Sequence, residues 1–332
     1  MQEKILSGSP SFPCSATALW FQQAGQCVLR EEKIAAPSDG EALVETLFTG
    51  ISRGTEKVVF HGQVPESEQG RMRGPNMEGD FSFPVKYGYA AVGRVIAGPA
   101  DLAGRSVFCL HPHQDRFVAP AAMLTPLPDA LPPERAVLAA NMETALNIVW
   151  DAGIQPGDTV AVFGAGTVGA LVAYLSSRIP GTETTLIDPN ESRAGLAVKL
   201  GISFSTGAFS GPFDVAVNAS GSEQALASAL GAAGKEARIV EASWHGEGET
   251  AIPLGGSFHA MRLSIVSSQV GTLPPSHRAR WTFARRMAKA LALLSDPRLD
   301  ALISGHTSFG DIVSAYPGIL SSPDTLCHRI YY

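Results

Sequence analysis

The chain has 332 residues, of which 45% are hydrophobic and 17% charged, and its formal net charge is −6. This length predicts about two domains. The weakly acidic balance argues against a nucleic-acid partner, and no polybasic segment suggests a membrane surface. No apolar stretch reaches the roughly 18 residues that a transmembrane helix needs.

The amino-terminal segment and the cysteines suggest a cellular location. Residues 1–20 lack the charged and apolar regions of a secretory signal. The cysteines stand far apart, without a C-x-x-C pair, which predicts neither a disulfide framework nor a local structural zinc site. We therefore expect a cytoplasmic protein with reduced thiols.

Residues 16–125 are rich in β-branched residues punctuated by Gly and Pro, which predicts strands. A loop rich in Gly and Pro is expected over residues 73–84, where a segment of this length is often functional. The predicted strands in this region are residues 26–34, 41–52, 90–98 and 104–110.

From about Leu131 the sequence pattern changes from strand-like to helical. Residues 134–153 carry apolar residues at helical spacing, and strand and helix patterns then alternate over residues 158–271. Such alternation predicts a parallel sheet with helices on both faces. A further helix is expected over residues 281–294. The basic run around its start predicts a solvated helix face, formed by Arg278, Arg280, Arg285 and Arg286.

A glycine turn between a buried strand and a helix is the strongest chemical signal. The first glycine allows the tight turn, the second lets the backbone approach a pyrophosphate, and the third lets the helix pack closely on the strand. The free N–H groups of the helix N-terminus add positive potential. The turn predicts a dinucleotide site, and its residues are Gly164, Ala165, Gly166, Thr167, Val168 and Gly169.

Asp188 ends the next predicted strand, at about the 20-residue spacing of a ribose-binding carboxylate. It would accept hydrogen bonds from the ribose hydroxyls and repel a 2′-phosphate, so NAD(H) is favoured over NADP(H). Arg193 is close enough in sequence to pair with Asp188 or to meet a phosphate. Ser220 and Ser268, at the ends of later strands, are further candidates for cofactor contact.

A β-rich first part, a Rossmann segment and a returning carboxyl-terminal segment resemble the medium-chain dehydrogenase/reductase family over nearly the whole chain. The resemblance implies an α/β fold with two domains. These are a GroES-like β-rich catalytic domain at residues 1–130 and 275–332, and a Rossmann domain with a doubly wound parallel sheet at residues 131–274. It also implies a homodimer and a small-molecule substrate.

Zinc-dependent members of the family take catalytic ligands from three segments, and the matching segments here lack most of them. The cysteine position falls on Ser52 or Arg53, Tyr89 stands at the histidine position, and Asn141 lies near the third position. Zinc prefers Cys, His or carboxylate ligands, so we expect no catalytic zinc. The segments GISRGTEKVVFHG and FPVKYGYAAVGRV are similar to the branch that contains bacteriochlorophyllide dehydrogenase.

Without zinc, a side chain must polarise a substrate carbonyl. Tyr89 is the first candidate donor, and the alternative is a tyrosine that only fills the space of the lost ligands. As a base it would need a nearby cation such as Lys86 or Lys57. Thr55 matches a hydroxyl that relays the alcohol proton in the family, or makes only a local hydrogen bond. Arg53 would bind an anionic substrate group or the pyrophosphate, or form an exposed salt bridge.

Other polar residues have weaker signals. The resemblance implies that Glu56 would lie behind the metal ligands of zinc-dependent members, and without zinc it is expected to pair with Lys57 or Arg53. Glu143 would approach the nicotinamide or cap its helix. The H-x-H pair of His111 and His113 is interpreted as a surface or strand-end pair rather than a chelate, because no third ligand is evident. His61 is either an acid–base candidate or a loop histidine.

The sequence therefore predicts a zinc-independent, NAD(H)-dependent oxidoreductase that interconverts an alcohol and a carbonyl. Its substrate would be small or medium-sized, and its catalytic residues would be Tyr89, Thr55, Ser52 and Arg53. Two alternatives stay open: a zinc-free NAD(P)H quinone or enoyl reductase, and a catalytically silent dinucleotide-binding protein. Asp188 argues against the first, since those reductases favour NADPH, and the glycine turn argues against the second.

Overall fold

The computed structural model describes residues 12–207 and 211–332. Residues 1–11 lie outside the described residues, and they make up most of the segment 1–20 that was considered for a secretory signal. The strands, in chain order, are β1 (Cys14–Gln23), β2 (Gln26–Ile34), β3 (Glu41–Ser52), β4 (Glu78–Gly79), β5 (Val85–Lys86), β6 (Ala91–Ala97), β7 (Ser106–Cys109), β8 (Arg116–Pro120), β9 (Thr125–Pro126), β10 (Thr159–Phe163), β11 (Glu183–Ile187), β12 (Ser203–Ser205), β13 (Phe213–Asn218), β14 (Ala233–Glu241), β15 (Ser264–Ser267), β16 (Ile303–Ser308) and β17 (Cys327–Tyr331).

Helices connect most of the parallel strands and cover the carboxyl-terminal part of the chain. In chain order they are α1 (Arg53–Phe60), α2 (Pro133–Ala136), α3 (Ala139–Ala152), α4 (Thr167–Ser176), α5 (Ala194–Leu200), α6 (Glu223–Ala232), α7 (Phe283–Leu293) and α8 (Ile312–Ser321). Within the described ranges, no helix is long and apolar enough to cross a membrane.

Six strands form a parallel sheet in the order β12-β11-β10-β13-β14-β15. This is the order of the doubly wound dinucleotide-binding fold, and the order reverses between β10 and β13. Alternate residues of β10 belong to different apolar clusters. Val160 and Val162 pack with α3 and α4, whereas Ala161 and Phe163 pack with α6. Since successive side chains point to opposite faces, helices cover both faces of the sheet.

The antiparallel strands form two further sheets. One has four strands in the order β2-β1-β5-β4, and the other has seven, with the path β16-β17-β3-β6-β7-β9 and β8 paired to β3. Strand β17 lies antiparallel to β3, with Cys327 opposite Ser52. The end of the chain therefore returns to the strand that carries the candidate catalytic segment.

The predicted α/β fold, with a Rossmann sheet and a β-rich companion, is confirmed. The predicted strands at 26–34 and 41–52 coincide with β2 and β3. The single helix expected over residues 134–153 is instead two helices, α2 and α3. Helix α3 is terminated by Gly153, which follows its last residue and has a left-handed φ of 66°. Helix α1, which follows β3 directly, was not predicted. The proposed domain boundaries stay a prediction.

The solvated face predicted for the basic run is wrong for Arg286, whose side chain is only 2% exposed. Its Nε donates to Glu143 Oε1 at 3.0 Å, and its Nη2 donates to the carbonyl of Val270 at 2.6 Å. A third donation goes to Asn147 Oδ1. Glu143 therefore does not cap its helix, because its carboxylate joins α3 to α7, and its approach to a nicotinamide stays a prediction.

We expect Arg286→Met to destabilise the protein by about 3–5 kcal/mol, because it leaves the buried Glu143 carboxylate without its cation. The free energy of unfolding in urea measures this loss. Arg285→Met is the matched control, since Arg285 is exposed on the same helix and its removal should cost less than about 1 kcal/mol. Equal effects of the two substitutions would contradict a structural role for the Arg286–Glu143 pair.

Candidate active site

The glycine turn joins β10 to α4 at the point where the strand order reverses. Gly164 has a φ of 99°, and a Cβ there would lie 2.7 Å from the Cα of Ser220. A Cβ on Gly169 would lie 1.9 Å from the Gly164 carbonyl oxygen, so this glycine is needed for the helix to approach the strand. By contrast, a Cβ on Gly166 would meet no atom within 4 Å. The turn is thus tightly packed on the inside and open beside Gly166.

Asp188 follows β11 and lies against the glycine turn. Its Oδ2 accepts from the Ala165 backbone N–H at 2.7 Å, and its Oδ1 accepts from the Asn190 N–H at 2.9 Å. Arg193 does not pair with Asp188, because its guanidinium donates to the carbonyls of Pro323 and Asp324 at 2.6 and 3.3 Å. Thr167 and Val168 form the first turn of α4 beside this carboxylate.

Two serines at later strand ends have different surroundings. Ser220 touches Gly164, and its Oγ donates to Asn218 Oδ1 at 2.6 Å. Ser268 follows β15, but its Oγ donates to Asp151 Oδ2 of α3 at 2.7 Å. The structure therefore brings Ser220 to the glycine turn, whereas the hydroxyl of Ser268 is held by α3.

The three positions assigned to lost zinc ligands lie together. Asn141 Nδ2 of α3 donates to Ser52 Oγ at the end of β3, at 3.1 Å. The hydroxyls of Ser52 and Thr55 both lie beside the Tyr89 phenol, close enough to act on its pKa. The Tyr89 ring also meets the ring of Tyr87 edge-on, with 6.0 Å between centroids. We call the set of Ser52, Tyr89 and Asn141 the polar corner.

The environment of Tyr89 favours the neutral phenol. Burial, and then the negative charge of Glu56, raise the pKa of Tyr89 to about 12, while the hydroxyls of Ser52 and Thr55 act in the opposite direction. The ammonium group of Lys86 is held by the carboxylates of Glu32 and Glu78. It therefore does not serve as the cation that a phenolate base would need, and Tyr89 is suited to donate a hydrogen bond.

Glu56 is fully buried, so the expectation that it pairs with Lys57 or Arg53 is wrong. Its Oε1 accepts from the Ser52 backbone N–H at 2.7 Å, and its Oε2 lies 3.0 Å from His113 Nε2. The Tyr316 hydroxyl of α8 donates to the same Oε2. Glu56 precedes most of α1 and reaches back to Ser52, which ties the first turn of this helix to the polar corner.

The surface location predicted for the histidine pair is also wrong. His111 is 5% exposed and His113 is fully buried, because the segment that carries them packs against β1. The His111 ring stacks on Phe117 with 3.8 Å between centroids, and burial lowers its pKa to about 3. His113 Nδ1 lies 2.8 Å from Thr49 Oγ1. His61 is exposed just after α1, as in the loop alternative.

Arg53 begins α1, next to the polar corner. Burial, and then the nearby guanidinium of Arg193, lower the pKa of Arg53. Among the residues described here, no carboxylate forms an ion pair with Arg53, so the salt-bridge alternative is wrong. Two guanidiniums close together make this side of the corner attractive to an anion.

The donor chemistry of the polar corner does not fit zinc. It consists of a serine hydroxyl, a phenol and an amide, whereas protein zinc sites use thiolate, imidazole and carboxylate donors. Over residues 12–207 and 211–332 no group of three or more His, Cys, Asp or Glu side chains is arranged to hold a metal.

Comparison with known proteins finds relatives that match part of the chain in sequence. No family model matches the chain. Over 170 residues it is 30% identical to the 2-desacetyl-2-hydroxyethyl bacteriochlorophyllide A dehydrogenase of Cereibacter sphaeroides, which covers 45% of this chain and 48% of that protein. Over 108 residues it is 29% identical to D-xylulose reductase A of Aspergillus niger, covering 31% and 30%. The chain thus spans less than two thirds of the length of these relatives.

Solved structures align over more of the chain. A short chain alcohol dehydrogenase of E. coli CFT073, complexed with NADH, aligns with a TM-score of 0.77 at 17% identity over 96% of this chain and 99% of that one. TarJ of S. aureus, in complex with NADPH, gives 0.74 at 14% identity over 96% and 99%. At these identities the likeness shows the fold. The predicted resemblance to alcohol dehydrogenase-like medium-chain dehydrogenases/reductases is confirmed.

The glycine turn allows a matched test of cofactor binding. Gly166→Ala should leave the unfolding temperature nearly unchanged, because its Cβ meets open space, yet raise the Kd for NADH by about tenfold or more, since that space would receive the pyrophosphate. Gly169→Ala should instead lower the unfolding temperature. Fluorescence titration and thermal unfolding measure the two effects. Unaltered NADH binding by Gly166→Ala would place the dinucleotide elsewhere.

Proposed function

We propose that the protein is a zinc-independent, NAD(H)-dependent oxidoreductase that interconverts an alcohol and a carbonyl on a small or medium organic substrate. The observation that carries the proposal is the polar corner, where Ser52, Tyr89 and Asn141 take the place of a metal-binding donor set. The corner joins α1, whose Arg53 lies near Arg193 of the Rossmann sheet. This proximity supports a cofactor bound on the side of the fold that carries the phenol.

The residues of the glycine turn fit a dinucleotide. Gly166 leaves room for a pyrophosphate, and the N-terminus of α4 supplies free N–H groups. Arg53 offers a guanidinium that no carboxylate pairs with in the described part of the chain. Asp188 would accept from the ribose hydroxyls, and its charge would disfavour a 2′-phosphate. A bound nicotinamide would supply or accept the hydride.

Tyr89 would act on the substrate oxygen. In the direction of reduction, its phenol donates a hydrogen bond to the carbonyl and then its proton to the oxygen that becomes the alcohol. The hydroxyls of Ser52 and Thr55 lie beside the phenol and support the charge that this transfer leaves on Tyr89. Thr55 is half-buried, and its hydroxyl would relay a proton from solvent water to the phenolate.

Tyr89→Phe should lower kcat for carbonyl reduction by about 100-fold, because the substrate oxygen loses its proton donor. The Kd for NADH should stay within about twofold of the unsubstituted protein. Steady-state rates on a panel of aldehydes, ketones and enones, followed by NADH absorbance, measure the loss. Tyr87→Phe is the matched control, a buried tyrosine two positions away. Full turnover by Tyr89→Phe would show that Tyr89 only fills space.

The same panel separates the two other hypotheses. Turnover of enones alone, driven by NADPH, would support a quinone or enoyl reductase. No oxidation of either nicotinamide, although both bind, would support a silent dinucleotide-binding protein.

Cofactor choice depends on Asp188. The Kd for NADH should be at least about tenfold lower than that for NADPH, because the carboxylate repels a 2′-phosphate. Asp188→Asn should narrow this ratio, whereas Glu191→Gln, an exposed carboxylate in the same turn, should leave it unchanged. Fluorescence titrations give both constants. Tighter binding of NADPH to the unsubstituted protein would mean that Arg53 and Arg193 decide the choice.

A further inference from the structure

Glu56 is a buried carboxylate without a fixed cation. Its side chain is fully buried, and in the part of the chain that the structure describes its one charged contact is His113, which carries charge only when protonated. Burying a carboxylate in this way is costly unless hydrogen bonds replace its hydration. Because burial of the Glu56 carboxylate is unfavourable, this residue is a candidate for a role at the neighbouring polar corner.

The hydrogen bonds around Glu56 all lead toward it. The Ser52 N–H can only donate, so Oε1 accepts. Oε2 accepts from the Tyr316 hydroxyl and lies 3.0 Å from His113 Nε2, from which a carboxylate oxygen can only accept. On the other side of the ring, His113 Nδ1 lies 2.8 Å from Thr49 Oγ1, which in turn lies 3.1 Å from the Tyr332 hydroxyl. Donors from three separate segments thus hold one carboxylate.

Acidic groups that surround Glu56 are all kept protonated. The charge of Glu56 contributes to a raised pKa in each of them, after burial. These groups are Tyr87, Tyr89, Tyr316, Cys327 and Tyr332. A second negative charge in the polar corner is therefore opposed by one that is already in place.

Glu56 also sets the geometry of the corner. It accepts from the backbone of Ser52, whose side chain in turn accepts from Asn141 and lies beside Tyr89. Glu56 and Thr55 are adjacent in the first turn of α1, so fixing one orients the other. The carboxylate thus acts on Tyr89 through the backbone of its neighbours.

We propose that Glu56 is a positioning residue: held by His113, Tyr316 and the Ser52 N–H, it fixes the junction of β3 and α1 against Tyr89 and keeps the Tyr89 phenol protonated before the substrate carbonyl binds. The inference rests on the proposed role of Tyr89 as proton donor. The titratable groups that face Tyr89 are Glu56 of α1, Tyr87, Tyr316 of α8 and Cys327 of β17.

Glu56→Gln tests the proposal by the pH dependence of carbonyl reduction. Reduction needs the protonated phenol, so the rate is lost as pH rises through the pKa of Tyr89, about 12 in the unsubstituted protein. Without the Glu56 charge this alkaline loss should move to lower pH by roughly one unit. kcat at neutral pH should fall by about tenfold, with the Kd for NADH within about twofold. A lower rate at every pH without a shift of the alkaline limb would overturn the proposal.

A matched variant and a second measurement keep the test decisive. Tyr316→Phe removes one donor but leaves the charge, so its alkaline limb should stay at the unsubstituted position. The ionisation of Tyr89 can also be measured without substrate, by the ultraviolet tyrosinate absorbance after a rapid pH jump. The absorbance of the Glu56→Gln, Tyr89→Phe double variant is subtracted from that of Glu56→Gln, which leaves the signal of Tyr89. Tyr89 should ionise at lower pH in this difference than in the difference between the unsubstituted protein and Tyr89→Phe. An equal ionisation pH in the two differences would overturn the proposal, even if no substrate is turned over.

Should Glu56→Gln fail to fold, Glu56→Asp replaces it. The shorter carboxylate keeps the charge but withdraws from the Ser52 N–H, so kcat should fall several-fold while the alkaline limb stays in place. A full rate in Glu56→Asp would contradict the positioning role.

Discussion

The buried carboxylate of Glu56 is the constraint on which the candidate site depends. It is held by the Ser52 N–H at the end of β3, by His113 and by Tyr316 of α8. These donors come from distant parts of the chain, and β17 closes the set by pairing with β3. A carboxylate removed from water is stable only while such donors stay in place. The position of the polar corner is therefore coupled to the carboxyl-terminal elements of the fold.

In the function proposed here, hydrogen bonding at the polar corner takes the place of metal coordination. A zinc ion would polarise a carbonyl directly, whereas Ser52, Tyr89 and Asn141 can offer only donors and a proton. Burial and the Glu56 charge keep the phenol neutral, which suits an acid and opposes a base. The same charge destabilises the phenolate that proton transfer to the developing alcohol leaves on Tyr89, so the phenol must be reprotonated before the next turnover.

The residues of the candidate cofactor site could be predicted from the sequence, whereas many contacts around the candidate catalytic residues could not. The turn from Gly164 to Gly169 and the following Asp188 are local patterns, because the tight turn and the parallel strands impose them within a few residues. The partners of Glu56 are instead set by tertiary pairing. Nothing local in His113 or Tyr316 indicates that they meet at Glu56. Arg286 was misassigned for the same reason, since its partner Glu143 lies on another helix.

The central claim is that carbonyl chemistry here proceeds at a polar corner without zinc. The most direct test is to purify the protein without chelator, measure its zinc content, and compare carbonyl reduction before and after exhaustive chelation. The account predicts a zinc content far below one ion per chain and an unchanged rate after chelation. About one zinc per chain, with activity lost on chelation and restored by zinc, would contradict it.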